Sequence, residues 1–443
     1  MRTLVLSLVA LLAGAPLIPG FAQDLLDDSA YASRWTPLEG TTPAQVRVVW
    51  TERADREALV LFSSAEGLEG GVVHWGPWDV EADPEGALEL PNSTACDREG
   101  PYTLHKDEQG EELPPAPWHH RARLSGLRAN TVYAFECELG ESRSRRFHFR
   151  TAPETDVPIT FVYGGDSRTG WKARCEVNLA LGRLAERDEL LCFVHGGDFV
   201  TEGNRWFQWN KWLSHHELTV PASGRLLPIV PARGNHDYGE IYAQVFGYEP
   251  DRRGIWFETR LSPKVSLVNL DTNVSAYGPQ LEWLKSTLKS ARTDVRWLLT
   301  NYHRPCFPAV KKPGEHATPW VPEFERYNVD VAFESDGHVF KRTPPIREGK
   351  RDETGIVYVG EGGLGVPQRR PRQDDWWLKE GVTAAQHHVH WVELTSESFR
   401  ARTLVIPDPF GSHAELEDPE QFAGFDVLDD FQRLPRPIGP AAR

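Results

Sequence analysis

Hydrophobic positions along the chain follow two rhythms that change over near residue 152. From about Thr41 to Thr151 the period is two: Val46, Val48 and Trp50 alternate with polar residues in AQVRVVWT, Tyr133, Phe135, Cys137 and Leu139 do so in TVYAFECEL, and Phe147 and Phe149 in RRFHFRT. Such alternation marks half-buried strands, and short strands between turn-rich loops imply a small antiparallel sandwich. The stretch from Gly76 to Trp118, rich in Pro, Gly and acids, reads as a long loop over that sandwich.

After APETDVP the pattern becomes strand, loop and helix in repetition. ITFVYGGDS is an apolar run ending in Gly-Gly-Asp, and the segment behind it places Val177, Ala180, Leu181 and Leu184 on one helical face. LLCFVHGGD repeats the arrangement and leads into NRWFQWNKWL; LLPIVPARGNHD is a third strand. KVSLVNLD follows, then a helix opened by Gly278-Pro279 with Leu281, Leu284 and Leu288 inward, and the strand VRWLLTNYH. This alternation implies an α/β domain with buried central strands. Its polar residues fall just past strand ends, where open α/β sheets hold their ligands.

Composition narrows the class. At 443 residues, with 26% charged and 40% hydrophobic side chains, the chain is a globular protein long enough for two domains. A formal net charge of -15 argues against a nucleic-acid partner. The N-terminus has Arg2, an apolar run from Leu4 to Ile18 and small residues up to Ala22, the form of a cleavable secretory signal; no later stretch is long and apolar enough to span a bilayer. A secreted or periplasmic protein is expected. Five cysteines do not make a disulfide framework, although Cys96 and Cys137 are a candidate bridge.

The strand ends carry Asp166, Asp198, Asn235 with His236, His303, and Asp336 with His338. One such residue is ordinarily a turn or core residue. In this order, each at a strand end, the oxygen and imidazole donors suit Zn, Mn or Fe, and a bridging carboxylate can hold two ions close together.

The series GGDSRTG, GGDFVTEG, GNHD, NYHRP and DGHVFKR resembles the calcineurin-like metallophosphoesterase superfamily. With the sandwich in front, which resembles a fibronectin type III (immunoglobulin-like) module, the chain is most similar to the purple acid phosphatase branch. The resemblance implies central β-sheets flanked by helices; with the signal (1–22), the chain divides into an all-β sandwich (23–152), a metallophosphoesterase domain (156–405) and a C-terminal tail (406–443) whose Pro and acidic content reads as surface-bound or poorly ordered. It implies two metal ions (Fe, Zn or Mn), with Asp166 on the first, Asp198 bridging, Asn235 and His303 on the second, and His236 assisting the phosphate or the leaving group.

Three departures matter. The family ends its metal set with Gly-His-x-His, an aromatic and Arg; a gapless overlay puts the first His at Asp336 and the second at His338, whereas a rival overlay makes His338 the first and leaves Phe340 as the second. The gapless overlay keeps a metal-capable side chain at both places. The tyrosine that colours the purple branch is replaced by Thr201. The superfamily's His two residues after the first Asp is replaced by Arg168, whose planar donors match a phosphate or, equally, a nearby acid. The implied activity is hydrolysis of a phosphate ester by hydroxide held at a dinuclear site, with Arg168 on the substrate oxygens and His236 protonating the leaving group. Alternatives are a phosphodiesterase or nucleotide hydrolase, a degenerate member that binds phosphate or metal without turnover, and a scaffold protein whose sandwich carries the function.

Two further motifs are set aside. GEGGLG at Gly360 to Gly365 matches a dinucleotide fingerprint, but Pro367 and Pro371 prevent the helix it requires; it reads as a flexible loop beside the metal site. His388 and His390 sit in an apparent strand on one face and read as structural.

Overall fold

The computed structural model describes residues 31–79, 89–105, 115–249, 254–407 and 425–436. The signal-like segment lies outside them.

Two sheets form the body. The larger has ten strands, and its central members Ile159–Gly164, Leu190–His195 and Ile229–Pro231 run parallel. All three are buried along their whole length, which is why they read as continuous apolar runs rather than as alternation. The second sheet has seven strands, with Val265–Asn269, Trp297–Asn301, Val331–Glu334 and Val357–Gly360 parallel at its centre. The sheets face one another through Phe161, Tyr163 and Phe333.

Helices cover the outer faces. Helix Trp171–Ala185 buries Val177, Ala180, Leu181 and Leu184 against Val162 and Phe193 of the larger sheet. Helix Pro279–Ala291 begins with proline in its first turn, where the missing N–H costs nothing. It buries Leu284 and Leu288 with Trp320 and Phe324 of helix Ala317–Arg326 against the second sheet, while Leu281 is half-buried at the margin. The layering is therefore helix, sheet, sheet, helix.

An all-β sandwich precedes this body, but it is not a separate bead. Its strand Ala44–Val49 pairs in parallel with Ile229–Pro231, and Trp50 N–H donates to the Ile229 carbonyl at 2.9 Å. The ten-stranded sheet thus runs from one unit into the other, and one core joins Val48, Trp50 and Leu59 to Phe199, Trp209 and Phe246. The alternation expected of AQVRVVWT does not hold in burial: all six residues Ala44–Val49 are buried. Arg47, on the face that would meet solvent in a free sandwich, is covered by the second unit and donates to the Val245 carbonyl at 2.7 Å.

The stretch read as one long loop contributes two strands, Asn92–Ala95 and Arg98–Pro101. Beyond residue 405, strand Asp426–Arg433 pairs with Phe399–Val405 at the sheet edge, so this part of the C-terminal segment belongs to the sheet.

Candidate metal centre

The loops after five strands meet at one end of the facing sheets. From the larger sheet come Asp166, Asp198, and Asn235 with His236; from the second come His303, and Asp336 with His338. Asp166, Asp198, Asp336 and His338 all have positive φ, between 59° and 72°, and make up four of the eight described non-glycine residues in that region. Backbone strain gathered at one place is a mark of function rather than of folding convenience. The loops brace each other: Asp166 N–H donates to the Gly197 carbonyl at 2.9 Å and Ser335 N–H to the His303 carbonyl at 2.9 Å. A side chain at Gly196 would run into the Ser335 hydroxyl, so the Gly-Gly before Asp198 permits the two sheets' loops to touch.

Donor atoms of Asp166, Asp198, His303 and Asp336 lie within 4.8 Å of one another, and all four residues are buried. His303 donates from Nδ1 to the Gly196 carbonyl at 2.9 Å, which turns Nε2 toward Oδ1 of Asp198 at 3.2 Å and Oδ1 of Asp336 at 3.5 Å. Asp166 Oδ1 and His303 Nε2 are buried without a hydrogen-bond partner. Buried polar atoms without hydrogen bonds, gathered in one donor group, fit a cation among them. His338 stands at the margin, its Nε2 3.4 Å from Asp166 Oδ1, and Asn235 is half-buried. His236 gives its backbone N–H to Asp198 Oδ1 at 3.0 Å, and its ring Nδ1 bonds the Thr201 carbonyl at 2.7 Å. A carbonyl only accepts, so Nδ1 carries the proton and Nε2, 4.0 Å from Asp198 Oδ2, is the atom left for chemistry.

Three carboxylates this close share their charge unequally. Burial, with Asp198 and Asp336 nearby, pushes the Asp166 carboxyl well above its usual range, although His303 opposes the shift. Burial also works against ionised Asp198 and Asp336, but His303 outweighs it at both, aided at Asp336 by Lys311, which holds that carboxyl at about 2. The His303 ring, which burial alone would keep neutral, is held protonated by Asp198, Asp336 and Asp166. A metal ion entering here displaces protons.

Cations of the chain already line this group. Arg168 Nε lies 3.2 Å from Asp198 Oδ2 and its Nη2 3.4 Å from His338 Nε2. Of the two partners the sequence left open for Arg168, a nearby acid is the one it meets, and that acid is the expected bridging ligand. Lys311 pairs with Asp336, and the Arg369 backbone N–H donates to the His338 carbonyl at 2.8 Å.

Lys311 was not legible, since nothing in its neighbourhood distinguishes it from a surface lysine. Asp237 and Glu361 were within motifs already singled out. The Asp237 carboxylate accepts the N–H groups of Asp198, Phe199 and Gly234 at 2.8 to 2.9 Å, holding the loop that carries Asp198. Glu361 shares Lys341 with Glu334, all three fully buried, and takes the Ala309 N–H at 2.6 Å, while its carbonyl accepts the His338 N–H at 2.7 Å. GEGGLG is thus a buried brace of the site, not a loose loop.

Asp336 lies in the donor group, while Phe340 is buried on strand Phe340–Arg342 against His388 and His390. His390 bonds Thr403 Oγ1 at 3.0 Å, and neither histidine belongs to the group. Cys96 and Cys137 are free thiols. Strand Val72–Pro77 lies between Asn92–Ala95, which Cys96 directly follows, and Val132–Leu139, which carries Cys137; two strand spacings of about 9–10 Å exceed disulfide reach. Cys96 lies with Glu99 and His120 in a second donor group, but there Glu99 already accepts from His120 at 2.7 Å and from the Gly70 and Gly71 N–H groups.

The chain is similar to known proteins in sequence and in fold. The calcineurin-like phosphoesterase family matches residues 176–340, which include every candidate ligand except Asp166. Purple acid phosphatase 18 of Arabidopsis thaliana is 25% identical over 268 residues, 55% of this chain and 58% of that protein. Human acid phosphatase type 7 is 24% identical over 298 residues, 56% and 65% respectively. The aligned region thus spans between half and two thirds of these curated relatives. A purple acid phosphatase from yellow lupin seeds superimposes with a TM-score of 0.70 at 16% identity, covering 88% of this chain and 74% of that one. PhoD does so with 0.62 at 13%, covering 92% and 93%.

Proposed function

Taking the chain as a calcineurin-like phosphoesterase of the purple acid phosphatase kind, we propose that it is an exported, metal-dependent hydrolase of phosphate esters. The observation that carries this reading is the buried group of Asp166, Asp198, His303 and Asp336, with unpartnered atoms of two of them turned inward. The family's two ions correspond here to two ligand sets. By the resemblance, one set would be Asp198, Asn235, His303 and Asp336 and the other Asp166, Asp198 and His338, across which Arg168 reaches. Metal bound at this site would neutralise the ester's charge and make hydroxide available near neutral pH.

The chain's own groups do the rest. His303 and Asp336 hold the ion-facing wall in place, and Asp237 keeps Asp198 pointed inward through three backbone N–H groups. Arg168, fork-shaped and positively charged, faces an equatorial phosphate oxygen from beside Asp198. His236 delivers a proton to the leaving oxygen from Nε2; because Nδ1 is committed to the Thr201 carbonyl, it can donate there only as the doubly protonated ring.

The test is hydrolysis of p-nitrophenyl phosphate and bis-p-nitrophenyl phosphate by metal-free protein, with Mn2+, Zn2+ or Fe3+ added back. Metal-restored activity lost in Asp198→Asn supports the reading; no metal-dependent turnover of either ester overturns it. His236→Ala should lose far more rate on an alkyl phosphate, whose leaving group needs the proton, than on the nitrophenyl ester. A non-catalytic relative is the second reading, favoured by one observation: Asp198 and Asp336 are already paired with Arg168 and Lys311.

A further inference from the structure

The two resident cations differ in how firmly they sit. Lys311 is 40% exposed at its side chain and pairs with one carboxylate among the described residues, that of Asp336, so its flexible stem can swing away when an ion arrives. Arg168 is 13% exposed and has two anchors in different loops of different sheets, Asp198 Oδ2 at 3.2 Å and His338 Nε2 at 3.4 Å. Those two atoms are donors that the first ligand set would have to give to its metal. A metal ion needs its oxygen and nitrogen donors at about 2.0–2.2 Å, so an ion in this set and the guanidinium cannot share the space between them. The remaining donors are arranged accordingly. Asp166, Asp198, His303 and Asp336 gather into a single group, and His338 is not part of it.

We propose that the Arg168 guanidinium stands in for the first metal, so that the site holds one ion, in the group of Asp166, Asp198, His303 and Asp336. The inference rests on the metal-dependent reading of the site and refines it. A fixed monocation replaces an exchangeable dication: it neutralises Asp198 on that side and keeps N–H groups available for one phosphate oxygen. Asp336 fits the same scheme. A carboxylate in place of the family's imidazole adds a negative charge to the remaining set, where a lone ion must be held without a second one beside it.

The measurement is metal stoichiometry, read independently of turnover. Metal-free full-length protein is titrated with Mn2+, a hard ion with little affinity for the Cys96 thiol, by equilibrium dialysis and by electron paramagnetic resonance, and the titration is repeated with Zn2+. The expected result is one ion per chain with an isolated Mn2+ spectrum, and two ions with a spin-coupled spectrum in Arg168→His, which restores the superfamily's ligand. Arg168→Ala serves as the second variant and should admit a second, weaker ion. Two ions in the unaltered protein overturn the inference and leave the hydrolase reading intact. One ion in the unaltered protein and still one in both variants also overturns it, because Arg168 is then not what excludes the second. No ion of either metal in the unaltered protein overturns the metal-dependent reading, and this inference with it.

Discussion

The backbone N–H of Asp336 donates to Oδ2 of Asp166 at 2.8 Å, joining the last loop of one sheet to the first loop of the other. This bond spans the interface on which the site is built. It leaves Oδ1 of Asp166 as the buried atom without a partner, so the same carboxylate braces the site and faces its centre. The donors are therefore held in place before any ligand arrives.

Gly362 depends on that arrangement. It has φ of +88°, and a methyl group there would run into Oδ2 of Asp166. Gly362→Ala should displace Asp166 and weaken metal binding by at least the ~10–100-fold seen when a metal ligand loses its support. Calorimetric titration of metal-free protein checks this; unchanged affinity would show that the loop yields instead.

Metal uptake should release protons. Asp166 is held protonated well above its usual range and so is the His303 ring, so bound metal competes with both. Affinity therefore rises as pH rises toward neutrality. Titration in buffers of different ionisation enthalpy should give an apparent heat that changes with the buffer, and a buffer-independent heat would contradict the assignment.

Lys341 is fully buried between Glu334 and Glu361. Lys341→Met leaves both carboxylates without their cation and should cost about 3–5 kcal/mol of stability. Denaturant melts measure it. Adding Glu334→Gln to Lys341→Met should recover part of the loss, because one stranded charge is removed.

Acid should destabilise the fold through its histidines. Burial lowers His119, His148, His316 and His388 from 6.5 to about 4. Between those values the unfolded chain binds protons that the folded rings refuse, so the stability these four histidines contribute is lost as pH falls through that window. Tm followed from pH 7.5 to 4.5 should drop, and the drop should be shallower in His316→Phe. An equal slope in that variant would mean that His316 does not contribute.

The sandwich should be indispensable to folding. A chain beginning at residue 156 loses the strand paired with Ile229–Pro231, exposing a sheet edge, and uncovers Phe199, Trp209 and Phe246. It is expected to aggregate. A soluble monomer of residues 156–436 with a cooperative melt would show instead that the shared sheet is dispensable.

Much of the site was legible because of its local grammar. Gly-Gly-Asp after an apolar run marks a strand end at which backbone must pass close to backbone, and Asp166 and Asp198 sit there. Asp336 could be placed because Phe333, Phe340 and Arg342 keep the register around it. Other features were not legible. Lys311 lies in a loop with no periodicity, and only the return of the chain sets it on Asp336. GEGGLG showed that backbone approached something closely, but not that the neighbour was Asp166.

The sequence by itself determined the central apolar strands of the two-sheet body, the helices between them and the identity of the residues at the strand ends, because burial period and turn chemistry are local properties. Tertiary structure decided what those patterns meant at a distance. The polar face of AQVRVVWT became interior because a second unit covers it with a backbone acceptor for Arg47. Arg168, equally suited to an acid or a phosphate, came to rest between Asp198 and His338 because two sheets deliver those residues to either side of it. A side chain's chemistry lists its possible partners, and only the long-range packing of the loops selects among them.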